Sequence, residues 1–219
     1  MRLPFALLSL LFLSAAFLCP LLLNAQKSDE WILKNQKDGI KVYYRQTGDV
    51  HELKLITSVR ASLPGIVLLL DDPSRYTEWV YRSVEARCVK RLSETEMYYY
   101  VRLDFPWPLS DRDLIMHTKI RQDPHTRALI WTSTAVPDLL PEQEDVIRIR
   151  RAHSKWLITP AAPGVLSVEY HLYSHPGGSL PSWLVNTAVD VGPLETIKGL
   201  CRLLLEARYQ NARLAHIRE

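Results

Sequence analysis

At 219 residues, with 27 Lys and Arg against 24 Asp and Glu, the chain carries a formal charge of only +3, and that balance argues against nucleic acid, whose backbone demands a dense basic excess. Its 14 Pro and 8 Gly are scattered rather than clustered, so collagen-like, solenoid and low-complexity architectures are out and one globular domain is expected.

Residues 3–23 are uncharged and follow Arg2, the short positive region and long apolar run of an export signal. Cleavage after Ala25 assigns 1–25 to a signal peptide, 26–213 to a single domain and 214–219 to a C-terminal tail. Because the apolar run is about long enough to cross a bilayer, a retained anchor is the alternative; the chain is exported, periplasmic or secreted, in either case. Cys19 follows Leu18, where lipoprotein processing wants a small residue. Beyond the signal two cysteines remain, Cys88 and Cys201, without metal-ligand spacing; a disulfide between them and two buried free thiols both stay open.

Strands come first. KVYYR (41–45) and ELKLITSVR (52–60) flank a Thr-Gly-Asp turn cluster, and the second alternates apolar and wetter positions. Two short helices follow, over 63–72 and 73–80, with Pro73 suited to a first helical position. Five further runs read as strands: 83–92, 95–104, 113–122, 126–134, and a stretch from 146 to 173 that breaks at 161–164 into two. The sheet then holds eight strands, all antiparallel. Met97, Tyr99, Val101, Leu103 and Phe105 share one face of their strand, and Leu166, Val168, Tyr170 and Leu172 one face of theirs; those faces should look inward. After Pro181 the spacing turns helical: Trp183, Leu184, Ala188 and Val191, then Leu194, Ile197, Cys201, Leu204 and Leu205 form the apolar stripe, and Gly192-Pro193 should interrupt or kink it. The fold class is α+β, a curved antiparallel sheet whose concave face is covered by a long C-terminal helix. Where the helix fills that face poorly, an apolar cavity is left.

Several segments, in order, resemble the START family of lipid-transfer domains: DGIKVYYR (38–45), SRYTEWV (74–80), PWPLSDRD (106–113), WLITP (156–160), GVLSVEY (164–170) and GGSLPSWLVN (177–186). The likeness runs from about Trp31 to Tyr209, nearest to members similar to phosphatidylcholine transfer protein. It implies a helix-grip fold, a monomer, and one lipid or other hydrophobic molecule in a tunnel between sheet and C-terminal helix, with transient membrane contact, no cofactor, no metal and no covalent chemistry. Tyr99, Val101, Leu103, Met116, Thr118, Val168, Tyr170, Leu184, Val185, Ala188 and Val189 should then line the tunnel. Phe105, Pro106, Trp107, Pro108 and Leu109 form either its door or a rigid corner with Trp107 packed in the core. The chain departs from cholesterol-binding members, whose acidic and basic tunnel residues correspond to the uncharged Tyr99 and Thr118, and His175 stands where members often have Asp.

Other chemistries are weaker. Glu169, His171, Tyr173 and His175 share a strand face, but the solvent face opposite the apolar set, which is poor for zinc. A cavity enzyme would use His117 or His171 as general base beside Tyr99 or Tyr170, with no nucleophile elbow or phosphate loop to support it. Arg148, Arg150, Arg151 and Lys155, and Arg87, Lys90 and Arg91, read as solvated strand faces or as contacts to anionic headgroups. An adaptor whose cavity is filled by side chains is the third class.

Overall fold

The computed structural model describes residues 30–47, 50–175, 177, 180, 181, 183, 184 and 191–219; residues 1–25, expected as a signal peptide, and Val185, Ala188 and Val189 lie outside the described residues. Ten strands form one sheet: β1 Ile32–Lys37, β2 Ile40–Thr47, β3 Val50–Arg60, β4 Ser83–Ser93, β5 Glu96–Leu103, β6 Asp111–Gln122, β7 Leu129–Ala135, β8 Val146–Arg148, β9 Arg151–Ala162 and β10 Val165–His175. The described helices are α1 Leu63–Leu70, α2 Tyr76–Trp79, α3 Gly192–Leu204 and α4 Ala207–Gln210. The strands run in the order β1-β2-β3-β10-β9-β7-β6-β5-β4, all antiparallel, so the first meander is sealed to the rest through β3 and β10. The α+β reading holds, with the helices gathered on one face of the sheet.

Two strands beyond the expected eight are present. β1 has no period-2 pattern, with Ile32 and Leu33 exposed on an edge, so its only sequence signal is the Asp38-Gly39 turn, where both residues take positive φ as a tight hairpin requires. β8 pairs parallel to β6, the single exception to antiparallel order among the described strands. It separates from β9 because Arg148 and Ile149 are both buried, which breaks the alternation of a continuous strand. Gly192-Pro193 opens α3, after a turn at Val191, so of the two expected outcomes it interrupts the helical stretch; a proline in the first turn forfeits no hydrogen bond. Trp183, Val191 and Leu205, expected on the apolar stripe, are exposed.

Helices α1 and α3 fill one half of the concave face. Ile66, Leu69, Ile197, Leu200 and Leu203 pack there against Val59, Met97, Ile120, Ile158, Leu166 and Val168. The Ser62 hydroxyl caps α1 by accepting from the Gly65 amide at 3.1 Å. The C-terminal residues pack on this core: Ile217 is buried, and the Gln122 amide donates to the Arg218 carbonyl (2.7 Å) and accepts from its N–H (2.8 Å).

Arg148, expected on a solvated face, is instead buried with Asp113: Nε to Oδ1 is 2.6 Å and Nη2 to Oδ2 is 2.9 Å, with side chains 2% and 1% exposed. Its guanidinium also donates to the carbonyls of Pro137, Leu140 and Pro141. One arginine therefore ties strand β6 to the loop that leads into β8 and satisfies that loop's buried carbonyls.

Candidate functional site

The other half of the concave face is not filled. Between it and the α2–α3 roof lies a cavity of about 320 Å³, at the lower end of the range usual for small-molecule sites. From the sheet, Val101, Leu103, Leu114, Met116, Trp131, Trp156 and Leu172 supply apolar wall; from the helical side Trp79, Pro193 and Ile197 close it. The strand inventory explains the boundary. Along β5, Met97 is in the core while Tyr99, Val101 and Leu103 face the cavity; along β10, Leu166 and Val168 are in the core while Tyr170 and Leu172 face the cavity.

Of the residues expected to line the tunnel, Tyr99, Val101, Leu103, Met116 and Tyr170 stand on the wall. Thr118 and Val168 share the inward face, but at the end that α1 and α3 fill, and both are buried off the wall. Thr118 Oγ1 instead accepts from Trp131 Nε1 at 2.7 Å and contacts Ser133 Oγ at 2.5 Å. Leu184 is buried away from the wall. Alternation identifies a face of a strand; it does not say how far along that face a helix reaches. The sequence reading missed Ser133, Ser154, Trp79 and Thr196, whose only signal was their strand face or helix stripe.

Within this apolar wall the hydroxyls lie next to one another. Ser133 neighbours Tyr99 and Ser154 neighbours Tyr170, and Ser133 and Ser154 are cross-strand partners on β7 and β9. The Tyr76 hydroxyl donates to the Leu70 carbonyl at 2.6 Å. Burial pushes the Tyr99 phenol up to about 12, against the smaller opposing pull of Ser133, and raises Tyr170 further. Both are neutral hydrogen-bonding groups at physiological pH, not bases. No Asp, Glu, Lys, Arg or His is among the described lining residues.

The histidines weighed as general bases face away from the cavity. His117 Nε2 lies 2.6 Å from Glu96 Oε1 with its ring stacked on Tyr98, and His171 Nε2 lies 2.5 Å from Glu169 with its edge against Trp31. Their strand neighbours Met116 and Leu172 point the other way, into the cavity. Among the described residues no three His, Cys, Asp or Glu side chains converge as a metal ion would require. Cys88 is exposed and Cys201 half-buried, both as free thiols.

The Phe105–Leu109 loop joins β5 to β6 just past the wall residue Leu103, and none of its five residues is on the wall. Trp107 is 91% exposed, which removes the reading of a corner packed in the core. The loop is held at its base by Asp111, which accepts from the Phe105 amide (3.1 Å) and pairs with Arg102 (2.6 Å).

A curved sheet that grips helices around an uncharged apolar cavity defines the helix-grip class of hydrophobic-ligand binders. The particular family follows from comparison: the START domain model matches residues 17–208, and the chain belongs to that family. It is 30% identical over 175 residues to an uncharacterized protein of Pseudomonas aeruginosa, covering 79% of this chain and 86% of the relative. It is 27% identical over 184 residues to the phosphatidylcholine transfer protein of Rattus norvegicus, covering 79% and 83%. Among solved structures, a STAR-related lipid transfer protein of Xanthomonas axonopodis superposes with a TM-score of 0.73 at 32% identity, over 80% of this chain and 99% of that one. Human STARD10, at 22% identity and a TM-score of 0.68 over 81% and 74%, shares the fold. The family binds and transfers lipids.

Proposed function

We propose that the chain is an exported, monomeric, non-enzymatic carrier that takes up one acyl lipid, most simply a phospholipid, and exchanges it at a membrane through the Phe105–Leu109 loop. The observation that carries this reading is the lining: apolar side chains and neutral hydroxyls, with no charged side chain among the described lining residues. Such a wall receives the hydrocarbon body of a lipid, worth about 0.8 kcal/mol per buried methylene, and penalises an unpaired charge. The phosphatidylcholine transfer proteins among its relatives support the ligand class, and the exposed Trp107 supports the membrane contact.

Native mass spectrometry of residues 26–219, purified gently after export and followed by organic extraction, tests the proposal. A stoichiometric adduct that extracts as lipid is the expected result; a mass that stays free of adduct after incubation with vesicles would reject it. Val101→Trp should fill the cavity and abolish uptake at a stability cost of about 1–3 kcal/mol, the usual toll of overpacking. Uptake undiminished in that variant would place the ligand elsewhere. Trp107→Ala should slow exchange with vesicles about tenfold while equilibrium binding holds, because the indole meets the interface and not the bound lipid. A parallel loss of binding and exchange would take Trp107 out of the door.

A further inference from the structure

Arg112 is 2% exposed, and among the described residues no carboxylate pairs with it directly. Its Nε–H is buried without an acceptor. Its Nη1 donates to the Ser110 carbonyl, and the face of its guanidinium lies 4.3 Å from the Phe105 ring centroid. The two flanking carboxylates are committed elsewhere, Asp111 to Arg102 and Asp113 to Arg148. Burial accordingly disfavours its charge, with Asp111 only partly opposing that. A guanidinium cannot shed its proton at physiological pH, so the fold retains a buried cation only partly offset by Asp111, which is costly.

Its position gives that cost a use. Arg112 sits opposite Leu103 in the β5–β6 register and two residues before Leu114 on the same strand face, and both of those leucines line the cavity. Arg112 is therefore on the concave side, at the end where the Phe105–Leu109 loop closes over the sheet, with Phe105 of that loop as its cover.

We infer that Arg112 is an oxyanion hook at the mouth of the cavity, capped by Phe105 when empty, that selects amphiphiles whose uncharged body enters the cavity and whose phosphate or carboxylate group stays at the loop. The inference rests on the cavity reading above and adds to it the ligand's charge and orientation. Movement of Phe105 uncovers a planar donor fork suited to an oxyanion, and the ligand supplies the countercharge that Asp111 and Asp113 do not.

The test compares dodecyl phosphate, dodecanol and inorganic phosphate as competitors of a neutral fluorescent probe in the full mature chain and in Arg112→Met. The expected result has dodecyl phosphate binding the wild type more tightly than dodecanol by about tenfold to a hundredfold. Arg112→Met should abolish that preference while dodecanol affinity stays within about twofold, because the methionine fills similar apolar volume. Inorganic phosphate should not compete, which separates an amphiphile's headgroup from free phosphate; competition by it at equal concentration would overturn the orientation argument. Equal affinity of the wild type for phosphate and alcohol, or equal loss of both in Arg112→Met, would overturn the hook while leaving the cavity reading intact. Binding of neither amphiphile would overturn the cavity reading and the hook with it. If Arg112→Met fails to fold, the wild-type preference and Phe105→Ala decide: uncapping should speed dodecyl phosphate uptake more than dodecanol uptake, and identical acceleration of both would count against the hook.

Discussion

Asp113→Ala should lower the unfolding free energy by about 3–5 kcal/mol, the range for stripping one partner from a buried ion pair. The reason lies in what remains: Arg148, with its side chain 2% exposed, keeps its charge and loses the carboxylate that pairs with it. Its contacts to the Pro137, Leu140 and Pro141 carbonyls offer dipoles, not a countercharge. Since domains have about 5–15 kcal/mol in total, the loss is a large share of the fold. Chemical denaturation reads it as a lower midpoint at unchanged slope. The pair itself is not the prize, because water would solvate both ions well; Asp113→Ala combined with Arg148→Met should recover part of the deficit, and the portion not recovered measures the loop carbonyls. A single variant within about 1 kcal/mol of wild type would mean that water reaches Arg148 and the site is not dry.

The second large effect is at the roof. A Cβ on Gly199 would sit 2.7 Å from the Trp79 Cα and 2.9 Å from its carbonyl oxygen, so α3 meets α2 backbone to backbone. Gly199→Leu should cost about 3 kcal/mol, the upper end of the overpacking range, because backbone cannot swing aside as a side chain can. Gly199→Ala should cost less, since the better helix propensity of alanine offsets about 1 kcal/mol. Trp79 lines the cavity, so prying α3 from α2 should also speed ligand release in both variants. Urea unfolding and probe dissociation rates check the two together; a leucine variant of wild-type stability would show that the roof gives way freely.

The inward faces of β5 and β10 were legible because alternation is a local property, and Tyr99, Val101, Leu103 and Tyr170 stand where it puts them. Thr118 and Val168 obey the same alternation and still miss the cavity, because the reach of α1 and α3 along the sheet depends on helix packing that no strand's own sequence encodes. β1 was invisible for the opposite reason: an exposed edge has no face to hide and hence no period. Arg148 was misread because a cation among other cations, Arg150 and Arg151, looks solvated until Asp113, far off in sequence, is brought to it. The loop's tryptophan resisted a decision from sequence alone, since an indole in a corner and one in water have the same neighbours in the chain; only its exposure separates them.

The seam between β3 and β10 has a consequence for how the chain comes into being. Arg60 pairs with Val165 and His51 with Ser174, so the sheet cannot be completed until nearly all of the chain is available, and α3, half of the cavity's roof, comes later still. Contacts this distant in sequence make folding slow, since a long stretch must be searched before the contact rewards it. During synthesis the emerging strands thus hold an apolar face with nothing to cover it, the condition under which partly made proteins aggregate or need a chaperone. The groove that receives a guest in the finished molecule is, in the nascent one, its most adhesive surface.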